Sequence, residues 1–597
     1  MLNSNLELLK VADIVRKHNW KIIVIHLVMM IFLSLQANFN VYLSGKLLDF
    51  LNESVFSQAI FIIILITVFN FLKQFLSEAT SLMDEEAMNE IMIKHEMKIL
   101  DKMRSCNLID QEKSEFKSSI NMATMGMGKI FPLFSNSFGV LQNGITAMIA
   151  FWYLGVSSLW LVLFVVIITC SKTFLIFYFT QKRISTNRII QSKLRVPQYF
   201  YNVLIDTQTQ KELKVYGSSD ILVKKWKDSS EEIQKIRNSL KKYSINFNLF
   251  NFSLSNLGLA LVTILIINYM SKGQLSIGEY FGLTLSLNLA DNSISTLLRN
   301  IFMIKEDKNY VKSYFSFVDD NPDRQEADLG ENEKVEFVFE NQLTINNLSF
   351  RYTNSERYAL RNINLSINKG DKVVIFGENG SGKTTFLKLL LKLYDSPEKT
   401  IAFDNIPLEQ IRTSSLHQAM VVVFQDFVKY MMTIRENVIV SNSNRSEITD
   451  AQIIKALGES RFPKLDRFSN HMDTNLGYLT EQSVFLSGGE WQKLALSRVY
   501  IRDAELLVFD EPTSALDPKS EIEFFSSILT EKEKTVIVVT HDINIAELAD
   551  TIVVFKDGEI AEVGNAQELY KRENSEYRNI INKRNEIFSM ERKYVYG

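Results

Sequence analysis

Six apolar segments in the first half of the chain restrict its fold more than any other feature. Each is long enough for a helix that crosses the roughly 30 Å hydrocarbon core of a bilayer. Helices are expected there because they satisfy their own backbone hydrogen bonds in lipid. We therefore predict a six-span α-helical membrane domain over residues 1–310. The predicted spans are 20–42, 57–78, 130–153, 158–180, 248–270 and 277–303.

The charges between the spans predict their orientation. The long connections 79–129 and 181–247 are rich in Lys and Arg, whereas the short connections are nearly free of them. Basic loops stay in the cytoplasm, so both termini and the long connections are expected there. The run Met83–Leu100 has few helix breakers and should extend the second span as a helix.

Composition excludes several other classes of protein. The net charge of −3 creates no field that would attract nucleic acid. Cys106 and Cys170 fit neither a disulfide framework nor the spacing of metal ligands. The first apolar run is too long for a signal peptide and lacks a small-residue cleavage site.

Two charged residues inside the predicted spans require an explanation. Lys172 lies in the fourth span and Asp291 in the sixth, at about 21–23 Å below the outer ends of their helices by the rise of ~1.5 Å per residue. Charges at this depth do not face lipid without cost. Either the two pair with each other, or they line a wet cavity, and we favour the cavity for at least one. The alternative is a structural role in contacts between helices.

The second half of the chain opens with a phosphate-binding motif. An acidic stretch, Asp319–Glu340, suggests a linker over 311–340, a soluble domain over 341–585 and a tail over 586–597. The strand Lys372–Phe376 leads into a glycine-rich loop and a helix, which is the context that a P-loop requires. Its backbone N–H groups are expected to bind phosphates, Lys383 to neutralise them and Thr384 to ligate Mg²⁺. The nucleotide-binding residues of the loop are Gly377, Glu378, Asn379, Gly380, Ser381, Gly382, Lys383, Thr384 and Thr385.

Two carboxylates follow a second buried strand, Leu506–Asp510. Asp510 is predicted to hold Mg²⁺, and Glu511 to polarise the attacking water. After a P-loop, two acids at the end of a strand indicate nucleotide hydrolysis.

Further motifs resemble those of ABC transporters. The sequence LSGGE, Leu486–Glu490, resembles the ABC signature, with Ser487 as a natural helix N-cap. The family usually has Gln where this chain has Glu490. The resemblance implies that Ser487, Gly488, Gly489 and Glu490 bind nucleotide from the partner subunit.

The same resemblance assigns four further residues. It implies that Tyr352 stacks on adenine, that Gln425 senses Mg²⁺ and water, that Asp517 lies in the D-loop and that His541 contacts the γ-phosphate. The expected catalytic residues are thus Glu511, His541 and Gln425, and the expected Mg²⁺ ligands are Thr384, Gln425 and Asp510. Thr433 and Glu436 form a capping box that should begin a helix after the Q-loop.

The whole chain is similar in layout to type I ABC exporters, also called the type IV fold. The fold class expected is an α-helical six-span transmembrane domain plus an α/β P-loop ABC nucleotide-binding domain. The resemblance implies ATP and Mg²⁺ as cofactors, a homodimer in a bacterial cytoplasmic membrane, and coupling helices near Phe116–Thr124 and Asn202–Lys211.

The cargo is the least constrained property. The segment Val422–Asn437 and the signature region with Trp491 resemble those of lanthipeptide exporters, which implies a peptide cargo and peptide-modifying enzymes as partners. Because the first span is predicted to begin at residue 20, we expect no N-terminal peptidase domain. One alternative is a multidrug or lipid exporter of the same fold. Another is an ABC ATPase that acts in regulation or resistance and not in transport, but the six predicted spans argue against it.

Overall fold

The computed structural model describes residues 6–157, 159–271, 275–319, 334–352, 355–442, 447–512 and 518–583. They divide into two compact units. The first comprises Met1–Cys106 and Lys113–Asp320, and the second comprises Asn107–Glu112 and Asn321–Gly597. The predicted tail at 586–597 and Asp517 lie outside the described residues.

The described part of the first unit is helical. Helices α1, α2, α5, α6, α9 and α10 contain the six predicted spans in order, and most continue well beyond them. The extension of the second span is confirmed, because α2 is unbroken to Ser105. The helices of the first half are α1 Leu6–Asn52, α2 Phe56–Ser105, α3 Leu108–Gln111, α4 Ser114–Met127, α5 Ile130–Ser157, α6 Leu159–Lys193, α7 Arg195–Ile205, α8 Thr207–Tyr216, α9 Ser219–Ser271 and α10 Ile277–Asp319.

Four of the described helices are long and apolar enough to cross a membrane by length and composition. They are Leu6–Asn52, Phe56–Ser105, Ile130–Ser157 and the stretch Ser219–Asn268 of α9. The predicted sixth span within α10 contains three charged residues, Glu279, Asp291 and Arg299. Helix α10 continues to Asp319, into the segment 311–340 that we predicted as a linker.

Close contact between α1 and α10 depends on glycine. A Cβ at Gly45 would lie 2.8 Å from the carbonyl oxygen of Gly278, so a side chain would force the helices apart. The amide of Gly278 also donates a hydrogen bond of 2.8 Å to Asp49. Small residues at such crossings are typical of helices that pack in membranes.

The short helix α3 corrects one expectation. We predicted the first coupling helix near Phe116–Thr124, but those residues lie inside α4 and pack in the core of the first unit. Helix α3 belongs instead to the second unit, where Leu108 and Ile109 pack against its core. The Tyr394 hydroxyl donates a 2.7 Å hydrogen bond to Glu112. Segment 107–112, and not 116–124, is therefore the part of this connection that packs with the second unit.

The second unit contains two sheets. An antiparallel sheet has the strand order β2-β1-β4-β5, and a six-stranded sheet has the order β10-β9-β3-β8-β7-β6. In the six-stranded sheet β9, β3, β8, β7 and β6 run parallel, and β10 is antiparallel. The strands are β1 Gln342–Phe350, β2 Leu360–Asn368, β3 Lys372–Gly377, β4 Ile401–Phe403, β5 Ile406–Pro407, β6 Met420–Val423, β7 Leu506–Asp510, β8 Thr535–Thr540, β9 Thr551–Lys556 and β10 Glu559–Gly564.

Strands β3, β7 and β8 are buried along their whole length, as expected for parallel strands covered on both faces. The helices around the sheets are α11 Lys383–Leu390, α12 Thr413–Gln418, α13 Ile434–Ile439, α14 Asp450–Glu459, α15 Gly488–Ser497, α16 Pro518–Leu529, α17 Ile543–Ala546 and α18 Ala566–Lys571. The capping box of Thr433 and Glu436 at the start of α13 is confirmed.

Candidate functional site

Parallel strands bring the predicted nucleotide site together. The P-loop follows β3, Gln425 follows β6, Glu511 follows β7 and His541 follows β8. Because these four strands are parallel neighbours in one sheet, their carboxyl ends lie at the same edge, where α/β sheets bind ligands. The sheet thus positions residues that are far apart in sequence.

The P-loop has the backbone that phosphate binding requires. Gly380 and Gly382 have φ values of 83° and 105°, in the region that favours glycine. A Cβ at Gly382 would also lie 2.8 Å from the carbonyl oxygen of Ala359. The buried hydroxyl of Ser381 has no hydrogen-bond partner among the described residues. A buried donor without a partner is the kind of group that a phosphate oxygen satisfies.

Lys383 is buried but has no carboxylate partner within ion-pair distance in the described residues. Its ammonium donates hydrogen bonds of 2.9 Å to the carbonyl oxygens of Gly377 and Glu378. Burial lowers the pKa of Lys383, and the nearby Glu511 and Asp510 charges oppose that shift. The side chain is therefore held at the loop with its charge available to a ligand.

Asp510 and Thr384 supply oxygen atoms for a cation. The Thr384 hydroxyl lies 3.5 Å from the Asp510 carboxylate. Burial and the adjacent Glu511 charge raise the pKa of Asp510. A buried carboxylate beside a hydroxyl fits a hard divalent cation such as Mg²⁺. No cluster of three His, Cys, Asp or Glu residues able to hold a metal is found in the described part of the chain.

Glu511 lies at the centre of the predicted catalytic residues. Gln425 donates a 3.0 Å hydrogen bond to one Glu511 oxygen, and His541 Nδ1 lies 3.5 Å from the other. Glu511 has a φ of 44°, which is unusual for a residue with a side chain. Its backbone N–H donates to Val539. The structure thus brings Gln425, Glu511 and His541 together.

Tyr352 lies near the start of the P-loop helix. Its hydroxyl is 3.0 Å from that of Thr385, and its ring packs edge-on against Tyr394. The half-buried ring borders the same site, and its role in stacking on adenine stays a prediction.

The signature region begins α15 as predicted. The Ser487 hydroxyl accepts from the Glu490 amide at 3.3 Å, and Glu490 accepts from the Ser487 amide at 2.7 Å. Ser487 and Gly488 are exposed, which leaves them accessible to a partner. Trp491 is buried in a separate hydrophobic cluster.

The structure explains how the chain tolerates Glu490. Burial raises the pKa of Glu490, but hydrogen bonds from Ser487 and Arg467 outweigh burial, so the pKa lies below its usual range. Arg467 forms an ion pair with Glu490 and offsets its charge. Arg467 was missed by the sequence analysis, because nothing local connects two residues so far apart in the chain.

Gln492 was also missed. Its buried side chain donates a hydrogen bond to the carbonyl oxygen of Pro512, directly after Glu511. It connects the signature helix to the catalytic edge of the sheet.

In the membrane domain, the two charged residues of the predicted spans pair with each other. Lys172 lies 2.5 Å from Asp291 and 2.6 Å from the Ser255 hydroxyl, and Ser255 donates to Asp291 at 2.8 Å. Lys172 is 3 % exposed and Asp291 8 %. The described residues thus pair the two charges with each other, and the wet cavity that we favoured for at least one of them stays a prediction. Ser255 was missed, since a serine in an apolar helix gives no distinct signal.

The chain is similar to known ABC transporter proteins in sequence and in fold. The family model of the ABC transporter domain matches residues 360–514. The chain has the fold of an ABC exporter: a solved structure of a bacterial Atm1-family ABC exporter with ATP bound superposes with a TM-score of 0.79. That alignment covers 95 % of this chain and 99 % of the other at 19 % identity. The resemblance and the fold class predicted from the sequence are confirmed.

Two curated relatives match nearly the full length. The subtilin transport ATP-binding protein of Bacillus subtilis is 28 % identical over 89 % of this chain and 87 % of its own length. The nisin transport ATP-binding protein of Lactococcus lactis is 29 % identical over 80 % of this chain and 79 % of its own. The chain therefore has an ABC transporter domain and the fold of an ABC exporter, and it resembles lantibiotic exporters. It is a bacterial membrane protein with a cytosolic nucleotide-binding domain that couples ATP hydrolysis to transport.

Proposed function

We propose that the chain exports a ribosomally made, modified peptide of the lanthipeptide class across the cytoplasmic membrane. The main support for a peptide cargo is the match to the subtilin transport protein over 89 % of the chain, because this match includes the membrane helices as well as the ATPase domain. The nisin transport protein supports the same cargo class.

ATP hydrolysis would proceed at the edge of the six-stranded sheet. Lys383 and the P-loop amides would bind the β- and γ-phosphates. Thr384 and Asp510 would hold Mg²⁺, which supplies positive charge beside the phosphates when bound. Glu511 orients the attacking water and accepts its proton, and Gln425 and His541 hold the Glu511 carboxylate from either side. Asp517 of the D-loop and Tyr352 would complete the nucleotide site.

We further propose that two copies form a homodimer with two ATP sites. The exposed Ser487 and Gly488 would complete the site of the partner copy. Co-expression of Lys383→Ala and Ser487→Ala chains should give one intact site per mixed dimer, while each variant alone gives none. ATPase activity of the mixed population no higher than that of the separate variants would contradict this arrangement.

A cavity within the membrane domain favours a second candidate function. It has a volume of about 570 Å³ and is lined mostly by aromatic and aliphatic side chains, including Phe32, Phe39 and Trp152. Such a cavity suits an apolar molecule, so export of a lipid or a hydrophobic drug remains the alternative.

A secretion assay tests the cargo. The chain would be co-expressed with a precursor peptide of the lanthipeptide class and the enzymes that modify that peptide, in a host without another exporter. We expect the peptide in the medium with the parent chain and not with Glu511→Gln. Retention of the peptide with the parent, or equal secretion with the variant, would contradict the proposal.

A further inference from the structure

A basic cavity lies at the cytoplasmic end of the membrane domain. It is an open cavity with a volume of about 720 Å³, lined by residues at the end of α4 and by residues of α6, α9 and α10. Its lining includes four basic side chains, Lys129, Arg183, Arg237 and Lys241, and one acidic side chain, Glu306. A cavity of this size accommodates a ligand of several residues rather than a single ion.

Two of the basic groups are compensated and two are not. Lys129 lies 3.2 Å from Asp307, and Arg183 lies 3.2 Å from Glu306. Arg237 and Lys241 form no ion pair with the described residues of the chain, and both are exposed in the cavity. The buried Nε of Arg183 also has no hydrogen-bond partner among those residues. The cavity therefore presents positive charge and free donors, which favour an anionic ligand.

A second cavity continues the first along α9. It has a volume of about 400 Å³, shares Arg237 with the first cavity and is lined by Tyr201 and Trp226. At ~1.5 Å per residue, the stretch of α9 from Trp226 to Ser244 is about 27 Å long. An extended peptide of about eight residues has this length. The aromatic rings and the two positive charges together match a peptide with both acidic and apolar side chains.

The depth of the cavities argues against a lipid headgroup. The fourth span is predicted to end at residue 180 and the fifth to begin at 248. By the helical rise, Arg183 lies roughly 4 Å, Lys241 roughly 10 Å and Arg237 roughly 16 Å beyond the hydrocarbon core. The headgroup layer is only about 5–8 Å thick. A lipid phosphate reaches Arg183, but Arg237 and the second cavity lie in the cytosol.

We propose that these two cavities form an entry site that binds an acidic segment of the peptide cargo, with Arg237 and Lys241 as the residues that select its charge. This inference rests on the proposed function, since it assumes a peptide cargo. It adds that the exporter recognises a run of Asp or Glu before the cargo enters the membrane.

Peptide binding to the full chain in phosphatidylcholine nanodiscs tests the site. The probes are three fluorescent ten-residue peptides in which Leu alternates with Asp, Asn or Lys. We expect the Asp peptide to bind at least tenfold more tightly than the other two, and binding to weaken with salt. The Arg237→Glu/Lys241→Glu variant should lose at least tenfold in affinity for the Asp peptide and gain affinity for the Lys peptide. That gain excludes misfolding as the cause of the loss.

The matched control is Lys235→Glu/Lys242→Glu. It makes the same change of charge on the same helix, but neither residue lines either cavity. It should bind the Asp peptide as the parent does. Equal affinity of the parent and the Arg237→Glu/Lys241→Glu variant for the Asp peptide would overturn the proposal.

Two further outcomes distinguish a lipid site from the entry site, and an error in the entry site from an error in the cargo. If charge reversal removes tightly retained phosphatidylglycerol and leaves the affinity for the Asp peptide unchanged, the cavity is a lipid site and the proposal is wrong. In the secretion assay, parental export by the Arg237→Glu/Lys241→Glu variant would overturn the entry site alone. Absence of export by the parent chain would instead reject the peptide cargo.

Discussion

Each half of the molecule buries a lysine and an aspartate inside a compact unit, but the two pairs differ in their partners. In the membrane domain, Lys172 and Asp291 contact each other, and Ser255 bonds to both. In the described part of the nucleotide-binding domain, Lys383 donates hydrogen bonds to backbone carbonyl groups, and Asp510 lies 3.5 Å from a hydroxyl. A closed pair neutralises itself, whereas separated charges remain available to a ligand. The difference distinguishes a structural contact from a binding site.

The largest effect is expected on ATP hydrolysis, when Glu511 beside the separated charges of Lys383 and Asp510 is changed. Glu511→Gln should lower ATP hydrolysis roughly 100-fold or more, because it removes the base that accepts the proton of water. ATP binding should persist, since Lys383 and the P-loop are unchanged. Phosphate release and binding of a fluorescent ATP analogue measure the two properties. Glu559→Gln, an exposed carboxylate paired with Arg361, is the control and should keep parental activity. Turnover of Glu511→Gln within a few-fold of the parent would remove Glu511 from the mechanism.

The closed pair predicts a loss of stability when one partner is removed. Lys172→Met should cost about 3–5 kcal/mol of unfolding free energy, because it leaves Asp291 buried without a counter-ion. The double variant Lys172→Met/Asp291→Leu should recover most of that loss. Lys383→Met, by contrast, should change stability by only about 1 kcal/mol and abolish ATP binding.

Melting temperatures in detergent compare these three variants. A Lys172→Met chain as stable as the parent would mean that Asp291 is hydrated. The wet cavity that we first favoured would then be the better description.

His95 represents a third case, a buried group that stays neutral. Burial lowers the pKa of His95 to about 4, and the imidazole is hydrogen-bonded to the Tyr314 hydroxyl at 2.5 Å. The unfolded chain binds this proton near pH 6.5. Stability should therefore fall as the pH decreases from about 6.5 to 4, by up to about 3 kcal/mol. His95→Gln should flatten that part of the pH profile of the melting temperature, and His471→Asn, at an exposed histidine, should not. An unchanged profile in His95→Gln would contradict the assignment.

The smallest effect is expected at Glu490. Gln keeps both bonds of the capping box and loses only the ion pair with Arg467, an exposed contact worth up to about 1 kcal/mol. Glu490→Gln should therefore retain ATPase activity within about threefold of the parent. A tenfold change would show that the charge of Glu490 itself tunes the nucleotide site.

The sequence predicted features that depend on local patterns. The P-loop glycines, the capping boxes at Thr433 and Ser487, and the strand that precedes Glu511 follow from residues adjacent in the chain. The meeting of Gln425, Glu511 and His541 was predictable through the family order of motifs, because parallel strands align their ends.

Contacts between distant residues were not predictable in this way. The bond of Lys172 to Asp291, the ion pair of Arg467 with Glu490, and the place of α3 in the second unit depend on how helices and loops pack. A single sequence carries no local signal for such packing. The depth argument placed Lys172 and Asp291 at one level, but it did not distinguish pairing from hydration.

The most direct test of the account follows peptide and lipid in the same inside-out membrane vesicles. A fluorescent precursor peptide of the lanthipeptide class is added outside, and a fluorescent phospholipid is placed in the membrane. With ATP, the parent chain should accumulate the peptide inside the vesicles and leave the lipid distribution unchanged. The Glu511→Gln variant should move neither the peptide nor the lipid. ATP-dependent movement of the lipid without accumulation of the peptide would contradict peptide export and support a lipid exporter.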